Sequence, residues 1–195
     1  MKRNVLALSL VLVLLAAAGI ATAGTYTIDQ THSDVSFKVR HLVSKTSGQF
    51  TEFDGTIVAD FDDLDTSSVA FTIKVASIDT QNDDRDKHLR SEDFFDAETY
   101  PEITFTSSKI TKSGDQKFAV TGTLTMHGVS KTVTLPVAFL GKVKGPRGGT
   151  VAGWEIETAL DRKDFGIVWN RALDAGGMIL GDEVEITINL ETNGE

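Results

Sequence analysis

Four histidines are the residues in this chain best suited to hold a metal or move a proton: His32, His41, His88 and His127. They stand nine, forty-seven and thirty-nine residues apart. No two fall at the H-E-x-x-H spacing or the paired Cys/His spacing of a local zinc site. That spacing favours ordinary hydrogen-bonded histidines, with metal ligation as the alternative. Ser33 follows His32, but neighbours along a strand point to opposite faces, which would part a nucleophile from its base. With no cysteine and no G-x-S-x-G elbow, covalent catalysis lacks a visible nucleophile. The acidic run Asp60-Phe61-Asp62-Asp63-Leu64-Asp65 has neither the mid-loop glycine nor the closing glutamate of an EF-hand and reads as a solvated turn. No glycine-rich phosphate loop leads into a helix. The polar residues therefore supply no catalytic motif, no metal site and no cofactor site.

The apolar residues carry the stronger pattern. Val35, Phe37 and Val39 alternate with Ser36, Lys38 and Arg40, and Val69, Phe71, Ile73 and Val75 alternate with Ala70, Thr72 and Lys74. The same period of two recurs over Phe118–Met126, Val133–Phe139, Trp154–Thr158 and Val184–Leu190. It places each set on one face of a half-buried strand. Gln49–Asp60 and Ile103–Ser107 bring the number to eight. Turn-rich breaks such as Ser113-Gly114-Asp115 and Gly145-Pro146-Arg147-Gly148-Gly149 separate them, as in an antiparallel sandwich or barrel. Asn82–Ala97 lacks this period. Asn82 or Asp83 suits an N-cap, Asp83, Asp84 and Asp86 suit the positive end of a helix, and Asp86 and Arg90 stand at i,i+4. The stretch predicts one or two short helices between strands three and four, the second beginning at Ser91 and turning Phe94 and Phe95 inward. Eight strands closed into a barrel leave room for side chains or one small ligand. Phe37, Phe50, Phe71, Phe105, Phe118, Phe139, Trp154 and Trp169 would either fill that interior or line it.

Residues 1–23 combine the basic start Met1-Lys2-Arg3-Asn4, an uncharged run from Val5 to Ile20, and Ala21-Thr22-Ala23. These are the parts of a cleaved secretory signal, and the run is short for a membrane span. The expected mature chain is one domain, 24–195. Removing Lys2 and Arg3 with the leader takes the formal charge from −9 to −11. Such a charge argues against nucleic acid as a partner and against electrostatic docking on anionic lipid. Without disulfides the core must hold the fold alone, and a chain of this size buries enough surface to do so.

Several motifs stand together in order. They are Ile28-Asp29 with His32-Ser33, Val35-x-Phe37-x-Val39-x-His41, and Gly48-x-Phe50-x-x-Phe53-x-Gly55. Ser77-Ile78-Asp79-Thr80, Arg85-Asp86-x-His88-Leu89-x-Ser91-x-Asp93-Phe94-Phe95-Asp96 and Tyr100-Pro101-x-Ile103-x-Phe105-x-Ser107 follow. Gly122-x-Leu124-Thr125-x-His127-Gly128-Val129-x-Lys131 and Arg162-x-Asp164-Phe165-Gly166-Ile167 complete the series. From about residue 25 to 192 the chain resembles the YceI-like polyisoprenoid-binding family. The resemblance implies an all-β fold, an eight-stranded antiparallel lipocalin-like β-barrel. It also implies a long-chain isoprenoid, quinone-like or similar amphiphilic lipid held in an apolar pore, in a periplasmic or secreted protein that is not an enzyme. With glycine and not cysteine after the expected leader and no other long apolar segment, no stable membrane anchor is expected.

On that reading, strand alternation makes Phe37, Val39, Phe71, Ile73, Phe105, Phe118, Leu124, Trp154 and Ile156 the wall around the lipid, or core packing behind it. His41, Arg85, Asp86, His88 and Trp169 become candidates for the pore mouth, with Arg85, Asp86 and His88 alternatively tying the helix to the barrel. Lys142–Thr150 is glycine-rich by comparison with the family. The competing readings are a metal-assisted hydrolase using histidines at the barrel mouth and an envelope scaffold acting through protein contacts. A homodimer is compatible with each.

Overall fold

The computed structural model describes residues 23–60, 67–146, 148–174 and 176–194. Nearly all of the expected secretory leader (residues 1–22 of 1–23) and most of the acidic run at 60–65 lie outside the described residues. The remainder forms one sheet of antiparallel strands: β1 (Gly24–Ile28), β2 (Asp34–His41), β3 (Ser44–Phe50), β4 (Phe53–Ala59), β5 (Ser68–Lys74) and β6 (Ile78–Asp79), then α1 (Asp83–Arg90), then β7 (Glu102–Gly114), β8 (Lys117–Met126), β9 (Val129–Lys144), β10 (Thr150–Asp161) and β11 (Leu180–Gly194). The sheet order is β1-β4-β5-β7-β8-β9-β10-β11-β2-β3-β6, and β1 also pairs with β11.

These eleven segments are eight barrel strands. One edge of β11 pairs with β2 over 180–189 and with β1 over 192–194. On the other side β2 pairs with β3, and β1 with β4. Thus β1/β2 and β3/β4 are two bent strands, and β5/β6 is a third. A 3-10 turn at Gln30–His32 breaks the first, capped by the Asp29 carboxylate accepting from Thr31 N at 2.9 Å. His32 and Ser33 thus sit at the break and not on a continuous strand, so the expected alternation does not apply there. Ser33 Oγ restores the ladder by accepting from Glu191 N at 3.0 Å. A second 3-10 turn at Val75–Ser77 breaks β5/β6, and Thr51 N donates to Ser77 O across the matching bend in β3/β4. Such bends let the broken strands curve round a closed core without losing hydrogen bonds.

The described barrel turns fall at one of two ends. One end holds the β2–β3 hairpin, α1, the Met126–Val129 turn and the segment from Arg162 to Ile179. The other holds the Gly114–Lys117 turn and the glycine-rich 145–149 connection, so the latter is remote from α1. His127 and Gly128 both have positive φ, at 51° and 74°, which matches a two-residue hairpin turn. Asn82 caps α1 through its side-chain oxygen, which accepts from Arg85 N at 2.9 Å. There is one α-helix here and not two. After Ser91 the backbone closes hydrogen-bonded turns, with Phe94 N donating to Ser91 O and Tyr100 N to Asp96 O, and these bury Phe94.

Gly122 marks the tightest approach to neighbouring backbone within the wall. A Cβ there would stand 2.4 Å from Thr106 O and 2.5 Å from the Phe105 ring. Gly122→Ala is expected to cost about 1–3 kcal/mol, the usual penalty for overpacking, measurable by denaturant unfolding. An unchanged midpoint would mean that β7 and β8 can part freely.

Candidate functional site

The barrel interior is open. Its cavity measures about 440 Å³, inside the ~300–1,000 Å³ range of small-molecule sites and about three times an engineered apolar cavity (~150 Å³) that stays dry and accepts apolar guests. Inward residues of every barrel strand reach it, from Ala59, Ser67 and Ile110 at one end to His41, Arg85 and Leu180 at the other. The period-two sets project inward because alternation on a closed sheet leaves no second apolar face. Their burial is graded along the barrel. Phe105, Ile73, Trp154 and Ile156 are buried, whereas Phe37, Val39, Phe71, Phe118, Leu124 and Ile186 are half-buried although they face inward. Half-exposed side chains on an inner wall are the mark of unfilled space.

Trp154 shows how the wall is anchored. Its indole Nε1 donates to Thr192 Oγ1 at 3.0 Å, and the fully buried Thr192 hydroxyl donates on to Ala152 O at 3.1 Å. Phe139 packs against the indole, with ring centroids 5.0 Å apart. Every polar atom in this network has a partner, so an aromatic ring can face the cavity without an orphaned N–H.

The ionisable side chains that reach the cavity (His41, Arg85, His88 and Arg162) all come from the α1 end. Arg85 Nε donates to Thr80 Oγ1 and Nη2 to Thr80 O, both at 2.7 Å. His88 Nε2 lies 2.9 Å from Asp93 Oδ2, and the imidazole meets the rings of Phe94 and Trp169 edge-on at 5.0 Å. Trp169 therefore sits over the cavity from a loop and not from a strand. Asp86 does not reach the cavity. Its buried carboxylate accepts from Thr80 N at 2.9 Å and from the Thr80 hydroxyl. Nor does it pair with Arg90, which donates instead to Ala76 O and Ile78 O. The i,i+4 spacing permitted that pair, but the carboxylate satisfies a buried amide that has no other partner. Thr80 is thus the shared post for Arg85 and Asp86, a helix-anchoring arrangement that also places Arg85 at the cavity.

Sequence reasoning overlooked Arg162. It is 5% exposed and uses its whole fork: Nε to Gly181 O at 2.9 Å, Nη1 to Ile167 O at 2.7 Å and Trp169 O at 2.8 Å, Nη2 to Asp182 Oδ1 at 3.1 Å. Burial pushes the guanidinium pKa down, opposed by Asp182 and Asp161. Its position in the Arg162–Ile167 motif was visible, but its partners come from β11 and from a loop. The inward row Val184, Ile186 and Ile188 was likewise read as strand and not assigned to the site.

Asp182 also receives a hydrogen bond from Lys163 Nζ at 2.7 Å. That bond first, and the charges of Lys163 and Arg162 after it, hold its carboxyl below the usual range against an opposing effect of burial. The unfolded chain therefore takes up this proton more readily than the folded one. The group's contribution to stability is full above the ordinary carboxylate range and is lost as pH falls through the depressed value. Asp182→Asn is expected to flatten the loss of stability below about pH 4, read from melting temperatures across a pH series. An acid limb as steep as wild type would place the sensitivity elsewhere.

Among the described residues, no three histidines gather into one ligand group. His127 Nδ1 lies 3.1 Å from Phe165 O. His32 Nδ1 lies 3.2 Å from Asp29 Oδ2 and 3.7 Å from Glu191 Oε1, where β1/β2 bends and away from the α1 end. Among the described residues, that half-buried trio, with His32 exposed, is the grouping of three able to hold a metal; His41 and His88 both reach the cavity at the α1 end, with no third such ligand grouped with them.

Comparison with known proteins adds the lineage. A family model described as the YceI-like domain matches residues 26–192. Protein YceI of Escherichia coli O6:H1 is 40% identical over 194 residues, covering 98% of this chain and 97% of its own. The crystal structure of BcnA from Burkholderia cenocepacia superposes with a TM-score of 0.75 at 30% identity, covering 84% of this chain and 98% of that one. A polyisoprenoid binding domain from Saccharophagus degradans, implicated in plant cell wall breakdown, shares the fold with a TM-score of 0.64 at 17% identity, covering 87% of this chain and 98% of its own.

Proposed function

This chain belongs to the YceI-like family, and on that premise we propose that it holds the tail of a long isoprenoid or similar amphiphilic lipid inside its barrel, without turnover and without a cofactor. The observation that carries this reading is the open cavity of about 440 Å³, apolar along its walls and ionisable at one end alone. Phe37, Val39, Phe71, Ile73, Phe105, Phe118, Leu124, Trp154 and Ile156 contact the tail. His41, Arg85, His88 and Trp169 surround the end where a polar head would remain. Asp86 acts indirectly, by holding Thr80 and α1 in place. Removal of residues 1–23 during export delivers the domain 24–195 to the periplasm, where it carries lipid.

Energetics allow it. Burying about ten methylene equivalents gives ~8 kcal/mol gross, and micromolar affinity needs about 8 kcal/mol net. Ordering a flexible chain takes back part of the gross term, so the occupant must extend beyond ten carbons. A polyisoprenoid meets that length.

Native mass spectrometry of the chain from Gly24 onward, followed by extraction of whatever denaturation releases, tests the proposal. The expected result is a one-to-one lipid with a long isoprenoid tail. An empty barrel that also refuses added polyprenol and quinone would overturn it and leave the scaffold reading.

A further inference from the structure

The Asp29-x-x-His32-Ser33 motif has no part in the cavity, since none of its residues lines it. Instead it stands on the outer wall of the barrel, at the break between β1 and β2. Alternation along β11 brings a partner there. Leu190 and Thr192 are buried on the inner side, so Glu191 between them points outward. Backbone bonds fix the meeting: Asp29 N donates to Glu191 O at 2.9 Å, and Glu191 N donates to Ser33 Oγ at 3.0 Å. His32 Nδ1 then lies 3.2 Å from Asp29 Oδ2 and 3.7 Å from Glu191 Oε1, all three atoms within 4.8 Å of one another. Thr31 N donates to Asp29 Oδ1 at 2.9 Å and Asn193 Nδ2 to Oδ2 at 3.4 Å, which sets the orientation of that carboxylate as outer partners do in metal sites.

The charge of this group is not balanced. Among the described residues, the ion pairs of Asp29 and Glu191 are with His32 alone, and neither carboxylate meets a lysine or arginine. A protonated imidazole would still leave one negative charge in excess. A neutral one would leave two carboxylates facing each other, which disfavours both. A divalent cation in the same place balances the pair and uses the imidazole nitrogen as a third donor.

The donors suit one metal best. Calcium and magnesium take oxygen ligands, whereas one imidazole with two carboxylates is a borderline set that zinc accepts. Zinc bonds of about 2.1 Å in a tetrahedron put neighbouring donors about 3.4 Å apart. The two measured separations fall on either side of that figure, so small side-chain rotations complete the site. His32 is 61% exposed, which leaves the fourth position open to water.

We propose that Asp29, His32 and Glu191 hold one zinc ion on the outer wall, with water as the fourth ligand. Both halves of the bent first strand pair with β11, so the ion clamps the seam along which the barrel closes. The clamp is structural and stands apart from the cavity and its guest.

The barrel strands all begin at or after Gly24, and the solved relatives fold over that span, so the untagged chain from Gly24 serves as the sample. It is stripped with EDTA and titrated with zinc chloride by calorimetry, with melting curves alongside. Wild type is expected to bind one zinc per chain with micromolar affinity. Its melting temperature should rise by about 5–10 °C at a hundredfold excess over Kd. His32→Asn and Glu191→Gln should each weaken zinc binding at least tenfold while melting like wild type in EDTA, and His127→Asn should bind zinc as wild type does. Uptake only at millimolar zinc would overturn the site and leave an ordinary surface ion pair. Stoichiometric uptake undiminished in both variants would overturn it too, by placing the metal elsewhere. A chain that binds zinc in this pattern but takes no polyprenol from detergent micelles would sustain the clamp while removing the lipid-carrier reading.

Discussion

Arg162→Ala is expected to lower stability by about 3–5 kcal/mol, the cost of removing one partner from a buried, hydrogen-bonded charge pair. The substitution strands the carbonyls of Gly181, Ile167 and Trp169, each of which costs free energy when left dry. In a chain of this size the melting temperature should fall by roughly 10 °C or more. A lost core contact would produce a similar fall, so the second readout matters. Arg162 bonds the backbone of Trp169, whose indole lies against His88 over the cavity. Tryptophan emission should therefore shift to the red in the folded variant, while Trp154 keeps its own hydrogen bond to Thr192. Arg162→Lys should recover little, because an ammonium cannot reach three carbonyls and a carboxylate from one fixed fork. A variant that melts within about 1 kcal/mol of wild type would show that the Ile167–Trp169 segment is held by other contacts.

The second large effect concerns space. Leu124 and Ile186 are half-buried and face the cavity from β8 and β11. Replacing both by tryptophan puts bulk into empty volume and not into packed core, so stability should hold or rise. If the two rings displace three to four methylene equivalents of a lipid tail, uptake should weaken by about 3 kcal/mol, roughly a hundredfold. The measurement is a titration with polyprenol in detergent, read alongside a melting curve. Unchanged uptake with unchanged melting would mean that the guest lies outside the barrel.

Much of the fold was legible because alternation is a local property. Val35-Phe37-Val39 and Val184-Ile186-Ile188-Leu190 each announce a strand with one apolar face, and the eight sets correspond to the eight barrel strands. The N-cap at Asn82 was equally readable, since capping needs a side chain and an amide three residues away. What misled was also local. Asp86 and Arg90 have a favourable helical spacing, but spacing states only that two groups can meet. Thr80 offered a buried amide and hydroxyl, and the better-compensated bond won. The bends at Gln30–His32 and Val75–Ser77 escaped notice because they depend on how a strand must curve to close the barrel.

By itself, then, the sequence determined the strand count, the alternating apolar faces, the place of the helical insertion and the family. All of these follow from residue periodicity and from motifs in fixed order. Only the tertiary structure decided whether the inward residues meet one another or face a void. A ring of alternating strands has the same period whether its interior is filled or open, and the difference lies in closure geometry. The same holds for the α1 end, where Arg162 gathers Gly181, Ile167 and Trp169 from separate stretches of chain. It holds as well for Asp29, His32 and Glu191, which meet only because β11 closes against both halves of the bent first strand. Contacts between distant residues leave no period in one sequence, so they appear only when the chain is folded.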